Sequence, residues 1–69
     1  MDIPTKIKMA EAYAHISEAD LARRLGKTPQ AFGQRMKTGK FSSQDLEDIA
    51  AALGAEIRVT FRFPDGTEI

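Results

Sequence analysis

"ADLARRLGKTPQAFGQRMKTGKF", Ala19 to Phe41, decides how the chain is read. From Leu21 to Phe41 this stretch holds six Lys or Arg residues and no Asp or Glu. The whole chain of 69 residues is nevertheless neutral, with 10 basic and 10 acidic side chains. The compensating charge lies on either side. Met1 to Asp20 carries two bases and four acids, and Ser42 to Ile69 carries two bases and six acids. For an encounter with a polyanion the local potential counts, not the total.

The stretch is also punctuated. Ser17 opens "SEAD", a capping-box variant with Asp20 in place of Glu or Gln. Leu21, Ala22 and Leu25 form the inner face of a short helix, which Gly26 stops by entering the left-handed region. Arg24 is placed to pair with Asp20, four residues earlier. Thr28 is an N-cap and Pro29 a first helical residue, so another helix begins almost at once. Phe32 and Met36, four apart, are its buried pair, and Thr38-Gly39 ends it.

Working outward, Asp2 caps a first helix in which Pro4 is tolerated. Ile3, Ile7, Ala10 and Ala14 share one face, and Met9, Tyr13 and Ile16 are read as widening it. His15 is read as a helix-end residue. On the other side Ser42 opens "SSQDLEDIAAALG", with Asp45 three residues after the cap. Leu46, Ile49, Ala50 and Leu53 are its apolar stripe, Gly54 is its stop, and its acids are read as a solvated face.

Beyond Gly54 the period changes. Ala55, Ile57, Val59, Phe61 and Phe63 alternate with Glu56, Arg58, Thr60 and Arg62, the pattern of a half-buried strand. Pro64-Asp65-Gly66 signals a turn, leaving only Thr67 to Ile69 for a return arm. A lone strand leaves its backbone polar groups unpaired. The expectation is therefore either a short hairpin or an antiparallel pairing with a second copy across a two-fold axis, through Ile57, Val59, Phe61 and Phe63.

Two short helices joined by a glycine turn, with a basic surface, form a helix-turn-helix arrangement. Ala22 is the small residue where the helices cross, and Phe32 clamps the second helix to the core. The other face of that helix carries Pro29, Gln30, Gly33, Gln34 and Lys37, which are slim or polar and include no acid. Glutamine amides suit the adenine edge in the major groove.

Over Ser17 to Gly54 the chain resembles the phage-repressor, or Cro-like (XRE), helix-turn-helix family, with Ala22, Gly26 and Phe32 in register. "TPQAFGQ" is similar to the recognition helix of lambdoid phage repressors. The resemblance implies a mainly α fold, a four-helix, lambda-repressor-like domain over residues 1–54, to which the alternating pattern adds a C-terminal strand over 55–69 expected to serve dimerisation. It implies a dimeric repressor reading an inverted repeat in double-stranded DNA. Gln30 and Gln34 would read bases, and Lys27, Thr28, Arg35, Lys37 and Lys40 would meet the DNA backbone. Arg35 stands where many members carry Ile or Leu, and Met36 is expected to make that core contact.

Composition bounds the alternatives. There is no Cys, one His, no glycine-rich phosphate loop and no paired-carboxylate constellation, so neither an enzyme nor a metal or other cofactor is expected. "MDIPTKIK" lacks the apolar run of a signal peptide, and no stretch nears membrane-spanning length, so a cytoplasmic protein is expected. The competing reading is a protein-interaction module, such as an antitoxin or phage regulatory protein, whose C-terminal strand augments a partner's sheet.

Overall fold

The computed structural model describes residues 2–69. Four helices occur among them: α1 (Ile3–Ala14), α2 (Glu18–Arg24), α3 (Pro29–Thr38) and α4 (Ser43–Ala52). Every one of them starts on a side-chain cap. Asp2, Ser17, Thr28 and Ser42 each accept a hydrogen bond from the backbone N–H three residues on, at 2.7, 3.1, 3.1 and 3.0 Å. Only Ser42 forms a full capping box, because the Asp45 carboxylate also accepts from the Ser42 N–H.

The helix ends follow equally local rules. After α2 and α4, Gly26 and Gly54 take φ of 72° and 74°. Lys27 N–H then bonds the Ala22 carbonyl and Ala55 N–H the Ala50 carbonyl, which are Schellman closures. After α1 the same left-handed place is taken by His15, at φ 58°, with Ile16 N–H on the Glu11 carbonyl. His15 is thus a helix-end residue, held in a conformation that glycine would adopt without strain.

The core sits where the four helices converge. Leu21 and Ala22 of α2 are wholly inaccessible, and Phe32 of α3 is 1% exposed. Ile7, Met36 and Ile49 close around them, with Ile16, Leu25, Phe41, Ala52 and Leu53 half-buried at the margin. α2 touches α1, α3 and α4, most extensively α3. Arg23, not Arg24, pairs with Asp20 at 2.6 Å. Arg24 lies on the side of α2 facing α4 and donates to the Ala52 carbonyl at 3.1 Å.

The widened face of α1 is corrected. Met9 is exposed and Tyr13 is 90% exposed, whereas Glu11 is buried at 7%. Helix geometry gives the reason. At about 100° per residue, Glu11 falls roughly 40° from Ile7, and Met9 about 200°. Glu11 therefore shares the Ile7 stripe in spite of its charge. Its Oε2 has no hydrogen-bond partner among the described residues. Burial, followed by the nearby Glu18, pushes its carboxyl up from the ordinary glutamate range, and Lys8 opposes the shift.

The long C-terminal strand is not formed within the single chain. Among the described residues Glu56 to Thr60 make no backbone hydrogen bond, and there is no sheet. A single antiparallel bridge joins Arg62 to Glu68. Phe61 exchanges N–H···O bonds with Ile69 at 2.6 and 2.9 Å, and Phe63 N–H donates to Thr67 at 2.8 Å. The turn between them has Gly66 at φ 91° and Asp65 Oδ1 accepting from Thr67 N–H. Hydrogen bonding from Thr67 holds the Asp65 carboxyl below its ordinary range. Everything from Ala55 onward is exposed, Val59 by 74% and Phe61 by 71%. The tail makes the molecule long, 44 × 23 × 19 Å with a radius of gyration of 13.3 Å. A chain of this length packed throughout would have a radius near 11 Å.

Glu11 yields the first prediction. A carboxyl raised in the folded state binds more protons folded than unfolded, so its burial opposes stability above the ordinary glutamate range and ceases to do so as pH falls. Glu11→Leu should raise the unfolding free energy obtained from urea denaturation at pH 7 by about 1–3 kcal/mol, the cost of an unsatisfied buried polar group. The gain should shrink when the pair is compared near pH 4.

Candidate nucleic-acid interface

α3 is two-sided. Phe32 and Met36 face the core, and Pro29, Gln30, Gln34 and Lys37 are exposed. Gln30, Gln34 and Lys37 are spaced four and three apart, which gathers them within roughly 60° of arc, opposite Phe32. Gly33 lies beside them, half-buried. Among the described residues no hydrogen bond or ion pair engages the side chains of Gln30, Gln34 or Lys37.

The helix is held at both ends. Thr28 caps it, and Pro29 fits the first turn, where an N–H is not needed. At the far end Gly39 takes φ 70°, with its N–H on the Arg35 carbonyl at 2.9 Å. Thr38 Oγ1 donates to the same carbonyl at 3.0 Å.

Arg35, expected on the DNA backbone, is engaged inside the fold. Its Nη2 pairs with Asp45, its Nε donates to the Lys40 carbonyl at 3.2 Å, and its guanidinium lies 5.5 Å from the Phe41 ring centre. Phe41 in turn packs obliquely on Phe32, with ring centroids 6.4 Å apart. Arg35 therefore joins the end of α3 to the capping box of α4. The sequence signal was available: Asp45 is a fixed cap carboxylate one short loop beyond Arg35.

The six bases of Leu21–Phe41 divide by type. All three arginines have internal partners: Arg23 with Asp20, Arg24 with Ala52 and Arg35 with Asp45. The side chains of Lys27, Lys37 and Lys40 have none among the described residues and are exposed. Lys27 precedes the cap of α3, and Lys37 and Lys40 flank its other end. Thr28 is exposed, and its oxygen accepts from Ala31 N–H as the cap.

Gly33 has no structural need to be glycine. It sits in mid-helix at an ordinary φ, and a Cβ added there would meet nothing within 4 Å. Glycine in a helix interior costs about 0.5–1 kcal/mol relative to alanine. A smooth spot beside Gln30 and Gln34 permits close approach of an external surface.

No group of three or more His, Asp or Glu side chains among the described residues is placed to hold a metal ion. None of the described helices is long and apolar enough to cross a membrane. No protein-family model, curated protein or solved structure matches the chain.

Asp45 yields the second prediction. Hydrogen bonds with Ser42, and then with Arg35, hold its carboxyl below the ordinary aspartate range. A depressed carboxyl stabilises the fold above the unfolded value and loses that contribution as pH falls through the folded one. Asp45→Asn should lower the melting temperature at pH 7. Its acid unfolding limb below about pH 4 should be flatter than that of the parent protein.

Proposed function

We propose that the chain is a sequence-specific regulator that binds double-stranded DNA as a homodimer and represses transcription by occupancy. On this reading α2 and α3 form the helix-turn-helix of a lambda-repressor-like domain, and α3 enters the major groove. Gln30 and Gln34 read base edges. Lys27, Lys37 and Lys40 meet phosphates, with the hydroxyl of Thr28 and the amide end of α3 close to the backbone. Arg35 is left out of this set because its guanidinium already has partners. The protein acts where the DNA is, in the cytoplasm.

One observation carries the reading: the outer face of α3 offers two unpartnered glutamines, a glycine and a lysine, in a segment with no acid. A solvated helix needs no such set, and a catalytic or metal role would need groups that this face lacks. The second reading, a module that augments a partner's sheet, draws on the exposed Ile57, Val59, Phe61 and Phe63. The two are separated by light scattering: a dimer formed by the chain alone supports the first, and a monomer ordered only by another protein supports the second.

Selection from random duplexes tests DNA binding directly and should return an inverted repeat with half-sites about one helical turn apart. Three lysines on each of two copies predict a log–log salt slope of about −5, so affinity should fall roughly a thousand-fold from 50 to 200 mM salt. Gln34→Ala should reduce discrimination at one position of each half-site by about 1–3 kcal/mol. Lys37→Ala should weaken all sequences alike and make the slope shallower. An unchanged sequence ranking in Gln34→Ala would overturn the readout assignment.

Gly33→Ala separates fold from function. It should raise the urea stability by about 0.5–1 kcal/mol. The same change should weaken binding to the selected duplex, because the added methyl stands on the docking face. Tighter or equal binding would mean that this face of α3 does not approach DNA closely.

A further inference from the structure

The tail hairpin shows which edge of the C-terminal segment is free. Phe61 and Phe63 direct their backbone groups toward the return arm, where they bond Ile69 and Thr67. Arg62 lies between them as the pair of Glu68 that makes no ladder bond, so its N–H and C=O point the other way. Along a regular strand this alternates by residue. The outer edge then carries the backbone groups of Glu56, Arg58, Thr60 and Arg62.

We propose that this outer edge pairs, antiparallel, with the same edge of a second copy, about a two-fold axis at Val59. The proposal rests on the homodimer named above and fixes its register. Residues related by the axis lie directly opposite one another. Glu56 faces Arg62 of the other copy, twice, and Arg58 faces Thr60, twice. These are the hydrogen-bonded pairs, so every backbone group on the free edge from Glu56 to Arg62 gains a partner. Ile57 faces Phe61, Ala55 faces Phe63 and Val59 faces its own copy in the closer, non-hydrogen-bonded pairs. The return arms stay on the outer flanks.

Neighbouring registers are worse on charge or on overlap. A shift by one residue pairs odd with even positions and sets the apolar face against the charged one. An axis at Arg58 opposes that arginine to its own copy. An axis at Thr60 sets Arg58 against Arg62 twice. Axes at Ile57 or Phe61 leave either the two phenylalanines or Glu56 and Ile57 without a counterpart. Only Val59 unites like faces, opposite charges and full overlap.

The chain has no cysteine, so single introduced cysteines report the register cleanly. A non-hydrogen-bonded antiparallel pair has Cα atoms about 4.5 Å apart, within disulfide range. Val59→Cys should therefore cross-link into a dimer on mild oxidation. Ile57→Cys or Phe61→Cys alone would place its thiols about 14 Å apart and should cross-link poorly. Mixing those two variants should restore cross-linking. Glu56→Arg should raise the dimer dissociation constant about ten-fold by opposing like charges, and adding Arg62→Glu should restore it. A parent chain that stays monomeric by light scattering would overturn the proposal. So would fastest cross-linking at another position, or a double exchange that fails to rescue. DNA binding is scored separately by duplex titration. A dimer of this register with no affinity for duplex sinks the DNA reading alone, and a monomer that binds duplex sinks the register alone.

Discussion

The burial of Phe32 against Leu21 and Ala22 governs the remainder of the molecule. Ala22 is wholly inaccessible on the helix that α3 contacts most, which leaves no room for a larger side chain there. Gly26 lets the chain turn within the four residues between α2 and α3, so α3 begins while α2 is still beside it. Once Phe32 and Met36 are seated, the rotation of α3 about its own axis is fixed. The residues half a turn away have to face outward, whatever their chemistry. That Gln30, Gln34 and Lys37 occupy those positions is a choice of sequence made on a geometry already determined by packing.

Arginine and lysine do different work within one basic stretch. The guanidinium fork suits fixed partners, bidentate or stacked, and loses less on being held. Arg35 uses this fully: a carboxylate, a carbonyl and an aromatic ring converge on one side chain. The partner, Asp45, is itself fixed by its capping box, so the end of α3 is tied to the start of α4 by rigid groups on both sides. The three lysines remain as exposed point charges around α3. Internal cohesion and outward charge thus come from the same segment without competing for the same atoms.

Much of this was legible locally. Asp2, Ser17, Thr28 and Ser42 each announce a helix start because a cap acts within three residues, and Gly26, Gly39 and Gly54 announce the stops for the same reason. Phe32 and Met36 were readable because their spacing admits one inward face. What escaped was decided by other elements. Glu11 is buried by position on the Ile7 stripe against its own polarity, and Tyr13 is exposed against its hydrophobicity. Arg35 counts as a surface charge until Asp45 and Phe41 are brought to it. In the tail, alternation signalled a half-buried strand, yet a strand needs an edge to pair with and a core to cover; Glu56 to Thr60 meet neither in a single chain, and both faces stay exposed.

The neutrality of the whole chain then acquires a physical sense on the proposed reading. A domain with only the six bases of Leu21–Phe41 would bind polyanions well, but its copies would repel each other. The acids elsewhere cancel that repulsion at a distance, while the potential next to α3 stays positive because screening confines it to within roughly 10 Å. Self-association and DNA binding can therefore coexist in a chain of zero net charge. The same segregation operates in the tail, where Glu56 and Arg62 sit at opposite ends of the alternating segment, so the segment complements itself only when reversed. On that reading charge placement, more than charge total, decides both whom the chain meets and in which orientation.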